Sequence, residues 1–85
     1  MQITFKLYAS LTDHLPIEVR RTGNSMPLSL PAGTTILQAI EPFALPMKVV
    51  HLVLVNGVFI PPEEREARVL ADGDVLAIWP PIAGG

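Results

Sequence analysis

The residues whose types and spacing could do chemistry lie at the end of this chain, in Trp79-Pro80-Pro81-Ile82-Ala83-Gly84-Gly85. A terminal α-carboxylate has a pKa of about 3.3 to 3.7, so at neutral pH it is an anion and a poor electrophile until another molecule activates it. The residues before it suit its delivery. Gly84 and Gly85 lack a Cβ and can thread a narrow channel in backbone conformations closed to other residues. Pro80 and Pro81 offer no N–H to a sheet and favour extended geometry, so they stop the strand before them and direct the tail away from the body. At roughly 3.3 Å per extended residue, residues 80–85 carry Gly85 on the order of 20 Å beyond the last strand.

Such a tail needs a body to hold it, and alternation marks the body's strands. In Gln2 to Tyr8, Ile3, Phe5 and Leu7 share one face while Gln2, Thr4, Lys6 and Tyr8 share the other. Ala9 to Met26 is less regular: Ser10 and Asp13 could cap one short helical turn through Leu15, and Pro16, Gly23, Asn24 and Pro27 point to loop. Leu28 and Leu30 alternate with Ser29 and Pro31, which predicts a short second strand confined by the proline to an edge or an end. Thr35 and Gln38 have capping-box spacing, Ile36, Leu37 and Ile40 share a helical face, and Pro42 disfavours helix at Glu41. These residues predict one short helix. Asn56-Gly57 between two β-branched runs predicts a hairpin with a two-residue turn, whose second arm ends at Pro61-Pro62. Asp72-Gly73-Asp74 then turns the chain into Val75 to Trp79, a buried strand stopped by Pro80. The order predicts an α+β domain over residues 1–79, one mixed sheet with a single packed helix, followed by a flexible tail over 80–85.

At 85 residues the chain is long enough for one compact core, and 49% hydrophobic against 16% charged residues is too apolar for disorder. A net charge of -2 provides no basic field for nucleic acid. The absence of cysteine removes disulfides, thiolate metal sites and catalytic thiols together. The amino-terminal residues alternate instead of forming a signal peptide, and no apolar run approaches the roughly 20 residues of a membrane helix. A cytoplasmic, soluble protein that binds neither nucleic acid nor membrane is expected. His14 and His51 have no second ligand at metal spacing, so no metal site is expected. Arg20 and Arg21 read as a solvated loop, and Glu63, Glu64, Arg65, Glu66 and Arg68 as a charged edge.

DGDVLAIWPPIAGG, Asp72 to Gly85, resembles the ending of the MoaD and ThiS family of ubiquitin-like sulfur carriers: a DGD turn, an apolar strand, two prolines, two residues and a glycine pair. The stretches ASLTDHLPIEVRR and LPMKVVHLVLVNGVFI resemble the related ubiquitin-like domain fused ahead of a nuclease-like domain in some bacterial proteins. The resemblance implies the β-grasp (ubiquitin-like) fold. It also implies a protein substrate and subunit, not a complete enzyme, with no cofactor of its own.

By the same resemblance, a ubiquitin-activating-like adenylating enzyme uses MgATP to convert the Gly85 carboxylate to an acyl adenylate, and sulfur replaces AMP to give a thiocarboxylate. Pro80, Pro81, Ile82, Ala83 and Gly84 are then the residues by which the tail is recognised. Tyr8 and Trp79 match positions where such carriers present aromatic side chains to a partner. The large subunit of molybdopterin synthase is the expected sulfur acceptor. Two other readings stay open: a ubiquitin-like modifier joined to lysines, and a non-covalent interaction module. The sequence also leaves open that Trp79 packs inward, into the core.

Overall fold

The period-two run at the amino terminus forms β1 (Gln2–Leu7) in the computed structural model, which describes residues 1–81. Ile3, Phe5 and Leu7 are buried, and Thr4 and Lys6 between them are half-buried. A 3-10 turn over Ala9–His14 and a four-residue helix α1 (Ile17–Arg20) follow. The Ser10 cap expected from sequence is not made: Tyr8 occupies the cap position without a side-chain bond, and the Thr12 hydroxyl donates to the Ala9 carbonyl at 2.9 Å.

The second strand, β2 (Ser25–Ser29), starts earlier than its alternation predicts and includes Pro27, which was expected in a loop. The ladder explains the tolerance. Met1 and Leu30 exchange both backbone bonds, at 2.8 Å each, and the antiparallel register pairs Ile3 with Leu28, Thr4 with Pro27 and Phe5 with Met26. Bonded and non-bonded pairs alternate along such a ladder, so the missing N–H of Pro27 falls on the side facing away from β1. A proline there costs the sheet no bond.

Helix α2 (Ile36–Ile40) is held at its start more than along its length. Its first N–H groups have no partner within the helix. Ile36 donates to the Arg68 carbonyl at 3.0 Å and Leu37 to the Arg65 carbonyl at 3.3 Å. Gln38 donates to the Thr35 hydroxyl at 3.3 Å while its own side chain accepts from the Thr35 N–H at 3.0 Å, completing the expected capping box. Ile36, Ala39 and Ile40 are the buried face; Leu37 is half-buried. The helix passes into a 3-10 turn over Glu41–Phe43, but Glu41 itself keeps helical angles, φ -52 and ψ -46, and donates its N–H to the Leu37 carbonyl, against the expectation that Pro42 would disfavour helix there.

The remaining strands are β3 (Leu52–Val55), β4 (Val58–Phe59) and β5 (Val75–Trp79). They lie in the order β2-β1-β5-β3-β4, with β5 parallel to β1 and antiparallel to β3. The β3–β4 turn places Asn56 at φ 53 and Gly57 at φ 81, the left-handed pair that the Asn-Gly dipeptide predicts. Phe5, Ile36, Val53, Leu76 and Ile78 are fully buried between sheet and helix.

The Asn56 side chain also ties its turn to the one before β5. Its Oδ1 accepts the Val75 N–H at 2.8 Å, and its Nδ2 donates to Asp74 Oδ1 at 2.9 Å. Asp74 Oδ2 accepts from Ala71 N–H at 2.8 Å, and Asp72 Oδ1 accepts from Gln2 N–H at 2.7 Å. Asn56→Gly keeps the backbone angle and loses the side-chain bonds, so it is expected to cost about 1 kcal/mol in urea unfolding. Asn56→Ala adds the left-handed penalty and is expected to cost about 2 kcal/mol. Equal losses for the two variants would assign the whole effect to the side chain.

Candidate functional site

Alternation along β5 decides what surrounds the root of the tail. Leu76 and Ile78 point into the core, so Val75, Ala77 and Trp79 take the opposite face. Tyr8 follows the fully buried Leu7, and its N–H donates to the Ile78 carbonyl at 3.1 Å, which carries the parallel β1–β5 register one residue past the strand. The two aromatic rings therefore meet. Their centroids are 3.8 Å apart with planes inclined by 8°, and both residues are half-buried. Trp79 packs on Tyr8 across the outer face of the sheet, and not among the core residues.

Leu52 and Leu54 on β3 and Phe59 on β4 share this outer face, since Leu52 pairs with Trp79, Leu54 with Ala77, and Phe59 with Leu54. Phe59 is 48% exposed. Lys6, beside Ala77 in the β1–β5 register, is the charged residue of the outward-facing ladder positions. The result is an aromatic and aliphatic surface running to the point where the chain leaves the sheet.

The His51 N–H donates to the Trp79 carbonyl at 3.2 Å, the last ladder bond before the prolines. Pro80 is half-buried and Pro81 exposed. The other expected tail residues, Ile82, Ala83, Gly84 and Gly85, lie outside the described residues. His14 is half-buried and His51 exposed, and among the described residues no group of three or more His, Cys, Asp or Glu side chains converges as a metal site would require. An apolar groove of about 320 Å³ runs beside α2, lined by Leu37, Ile40, Ala44, Leu45 and Met47 with Glu41. Among the described residues no helix is long and apolar enough to cross a membrane.

One expectation is overturned. Arg65, grouped from sequence with an exposed charged edge, is 4% exposed. Its Nε donates to the Ile60 carbonyl at 2.9 Å, Nη1 to Val50 at 3.3 Å and Nη2 to His51 at 3.1 Å, and its guanidinium lies 5.9 Å from the centre of the Phe59 ring. Burial pushes its pKa below the usual arginine value, and Glu63 acts in the opposite sense. The acceptors explain the burial. They lie just before β3 and just after β4, where ladder bonding stops and carbonyls would be left unpaired. Nothing in the local pattern EEREAR distinguishes this arginine from its neighbours. Arg20 is likewise not in a loop: it closes α1 and lies 3.8 Å from Asp13.

A five-stranded mixed sheet with β5 parallel to β1 at its centre and a helix packed across one face is the β-grasp, ubiquitin-like architecture. The solved structures it is similar to share that fold. They include SAMP1 from Haloferax volcanii, at 20% identity, TM-score 0.70 and full coverage of both chains. A second structure, of H. volcanii small archaeal modifier protein 1, matches at 21% identity and TM-score 0.67, over 95% of this chain and 98% of that one. A Pyrococcus furiosus protein provisionally designated molybdopterin converting factor, subunit 1, matches at 18% identity and TM-score 0.68, over 96% of this chain and 99% of that one. No curated protein sequence matches the chain. The ThiS family matches residues 16–85, and the chain belongs to that family. Its members generally work with an adenylating enzyme and a sulfur acceptor and are not themselves catalytic.

Stacked aromatic pairs contribute about 0.5 to 1.5 kcal/mol beyond their buried area. Tyr8→Ala also removes the area that the ring buries, so it is expected to lower stability by at least that amount and to shift the fluorescence of Trp79, the chain's one tryptophan, towards longer wavelength. Unchanged emission would place the indole out of contact with Tyr8 in solution.

Proposed function

We propose that this protein is a sulfur carrier whose reactive group is the carboxylate of Gly85. The observation that carries the reading is the match to the ThiS family over a segment that includes the whole Trp79-Pro80-Pro81-Ile82-Ala83-Gly84-Gly85 tail. In this reading an activating enzyme brings MgATP, a carboxylate oxygen attacks the α-phosphorus, and pyrophosphate leaves. A sulfur nucleophile then displaces AMP from the acyl carbon and leaves a thiocarboxylate. The carrier contributes geometry, not catalysis: adenylation needs the reacting atoms held at roughly 3 to 3.5 Å, at the far end of a tail that starts from a rigid strand.

Tyr8 and Trp79, half-buried against each other, with the apolar outer face beside them, form the surface that meets the partner, since aromatic side chains are favoured interface anchors. Pro80, Pro81, Ile82, Ala83 and Gly84 are read by the activating enzyme as the tail enters its channel. The sulfur acceptor in this reading is the large subunit of molybdopterin synthase, a choice supported by the likeness to the P. furiosus protein. The protein acts in the cytoplasm and holds no cofactor.

The likeness to small archaeal modifier protein 1 supports a second reading, in which a lysine amine attacks the same adenylate-derived acyl group and the carrier becomes a covalent tag. Intact mass analysis of the protein purified from its own cells separates the two. Carrier function requires a population heavier by one sulfur in place of one oxygen, whereas tagging requires conjugates that retain the Gly85 acyl group on lysine. Adding one Ala after Gly85 displaces the reactive carbon by about 3.5 Å, so it is expected to leave thermal stability unchanged and abolish adenylate formation. Normal function of a protein lacking Gly84 and Gly85 would overturn both readings in favour of a non-covalent module.

A further inference from the structure

We infer that Arg65 is the positioning residue for the tail, acting through one peptide unit on the plane from which Pro80 departs. This inference rests on the reading of the tail as the delivery arm for Gly85. Arg65 Nη1 donates to the Val50 carbonyl at 3.3 Å, and the N–H of that same Val50–His51 peptide donates to the Trp79 carbonyl at 3.2 Å. A peptide unit is planar and stiff, so fixing its oxygen fixes the direction of its N–H. Arg65 Nη2 holds the following carbonyl, His51, at 3.1 Å, and Nε holds Ile60 at 2.9 Å, so the fork is anchored on both sides of the β3–β4 hairpin.

The accepting oxygen is as informative as the donor. The Trp79 carbonyl lies in the plane of the Trp79–Pro80 peptide, so the bond from His51 orients the plane that carries the Pro80 ring. Proline fixes φ near -65°, so the orientation of that plane is passed along Pro80 and Pro81 instead of being lost at the first free torsion. On the other side of β5 the Tyr8 N–H holds the Ile78 carbonyl at 3.1 Å, and the Tyr8 ring lies against the indole. The root is thus clamped between β1 and the segment before β3, and Arg65 is the side chain that holds that segment in place.

Arginine is required by the geometry. Its planar fork donates in fixed directions to several acceptors at once, whereas a lysine ammonium is a point charge on a flexible stem. Arg65→Lys therefore keeps the charge and loses the fork.

The test compares the wild-type protein, Arg65→Lys and Arg65→Met by amide hydrogen exchange and by steady-state adenylation with the purified ubiquitin-activating-like enzyme and MgATP. In Arg65→Lys the His51 amide is expected to exchange about tenfold faster, while Phe5 and Leu76 in the central strands are unchanged. In the adenylation assay kcat is expected to fall about tenfold with KM for the carrier within about twofold, because docking of the body is intact while the tail reaches the channel in fewer complexes. Arg65→Met is expected to show the same pattern more strongly; if it fails to fold, the lysine variant alone decides. Unchanged His51 exchange, or equal acceleration at His51, Phe5 and Leu76, would overturn the inference, as would a rise in KM with kcat preserved. Absence of adenylation in the wild-type protein would overturn the delivery reading instead, and the exchange data would still decide whether Arg65 holds the root.

Discussion

Strand β5 lies in the middle of the sheet, and a buried strand there leaves no water to satisfy the backbone groups along either edge. β1 supplies one row of partners in parallel register and β3 the other in antiparallel register. An unpaired buried N–H or C=O costs about 1 to 3 kcal/mol, so neither neighbour can shift without loss at several positions. The first strand, the hairpin and the last strand are thereby made into one object. The turn before β5 is fastened the same way: Asn56 and Asp74 join the two turns at one end of the strand, and His51 and Tyr8 hold the carbonyls at the other.

The clearest parts of the fold in the sequence are those where local chemistry and tertiary structure agree. Thr35 and Gln38 cap α2, Asn56-Gly57 turns the hairpin, and the alternation of Ile3, Phe5 and Leu7 identifies the buried face. Pro27 was hidden because its effect depends on which side of β2 faces β1, a fact of pairing and not of composition. The Ser10 cap fails for a related reason: the chain after Tyr8 is directed by the long-range bond to Ile78, and the local signal yields to it.

Tyr8 and Trp79 were singled out by the family resemblance, but their stacking follows from the parallel pairing of β1 with β5, which no window of sequence contains. Arg65 was not legible at all. Its burial is set by carbonyls at Val50, His51 and Ile60 that have no ladder partner among the described residues, and a charged run reads alike whether one member turns inward or all face water.

Both edges of the sheet discourage the addition of another strand. On β2 the position of Pro27 presents a gap where an incoming strand would need a donor, and β4 has two residues, Val58 and Phe59, followed closely by Pro61. An extended peptide seeking continuous main-chain bonding meets an interruption on one side and too short a run on the other. Recognition of this domain is left to its faces, where side chains instead of backbone groups discriminate among partners, so specificity can be altered by a single substitution without disturbing the hydrogen-bonded frame.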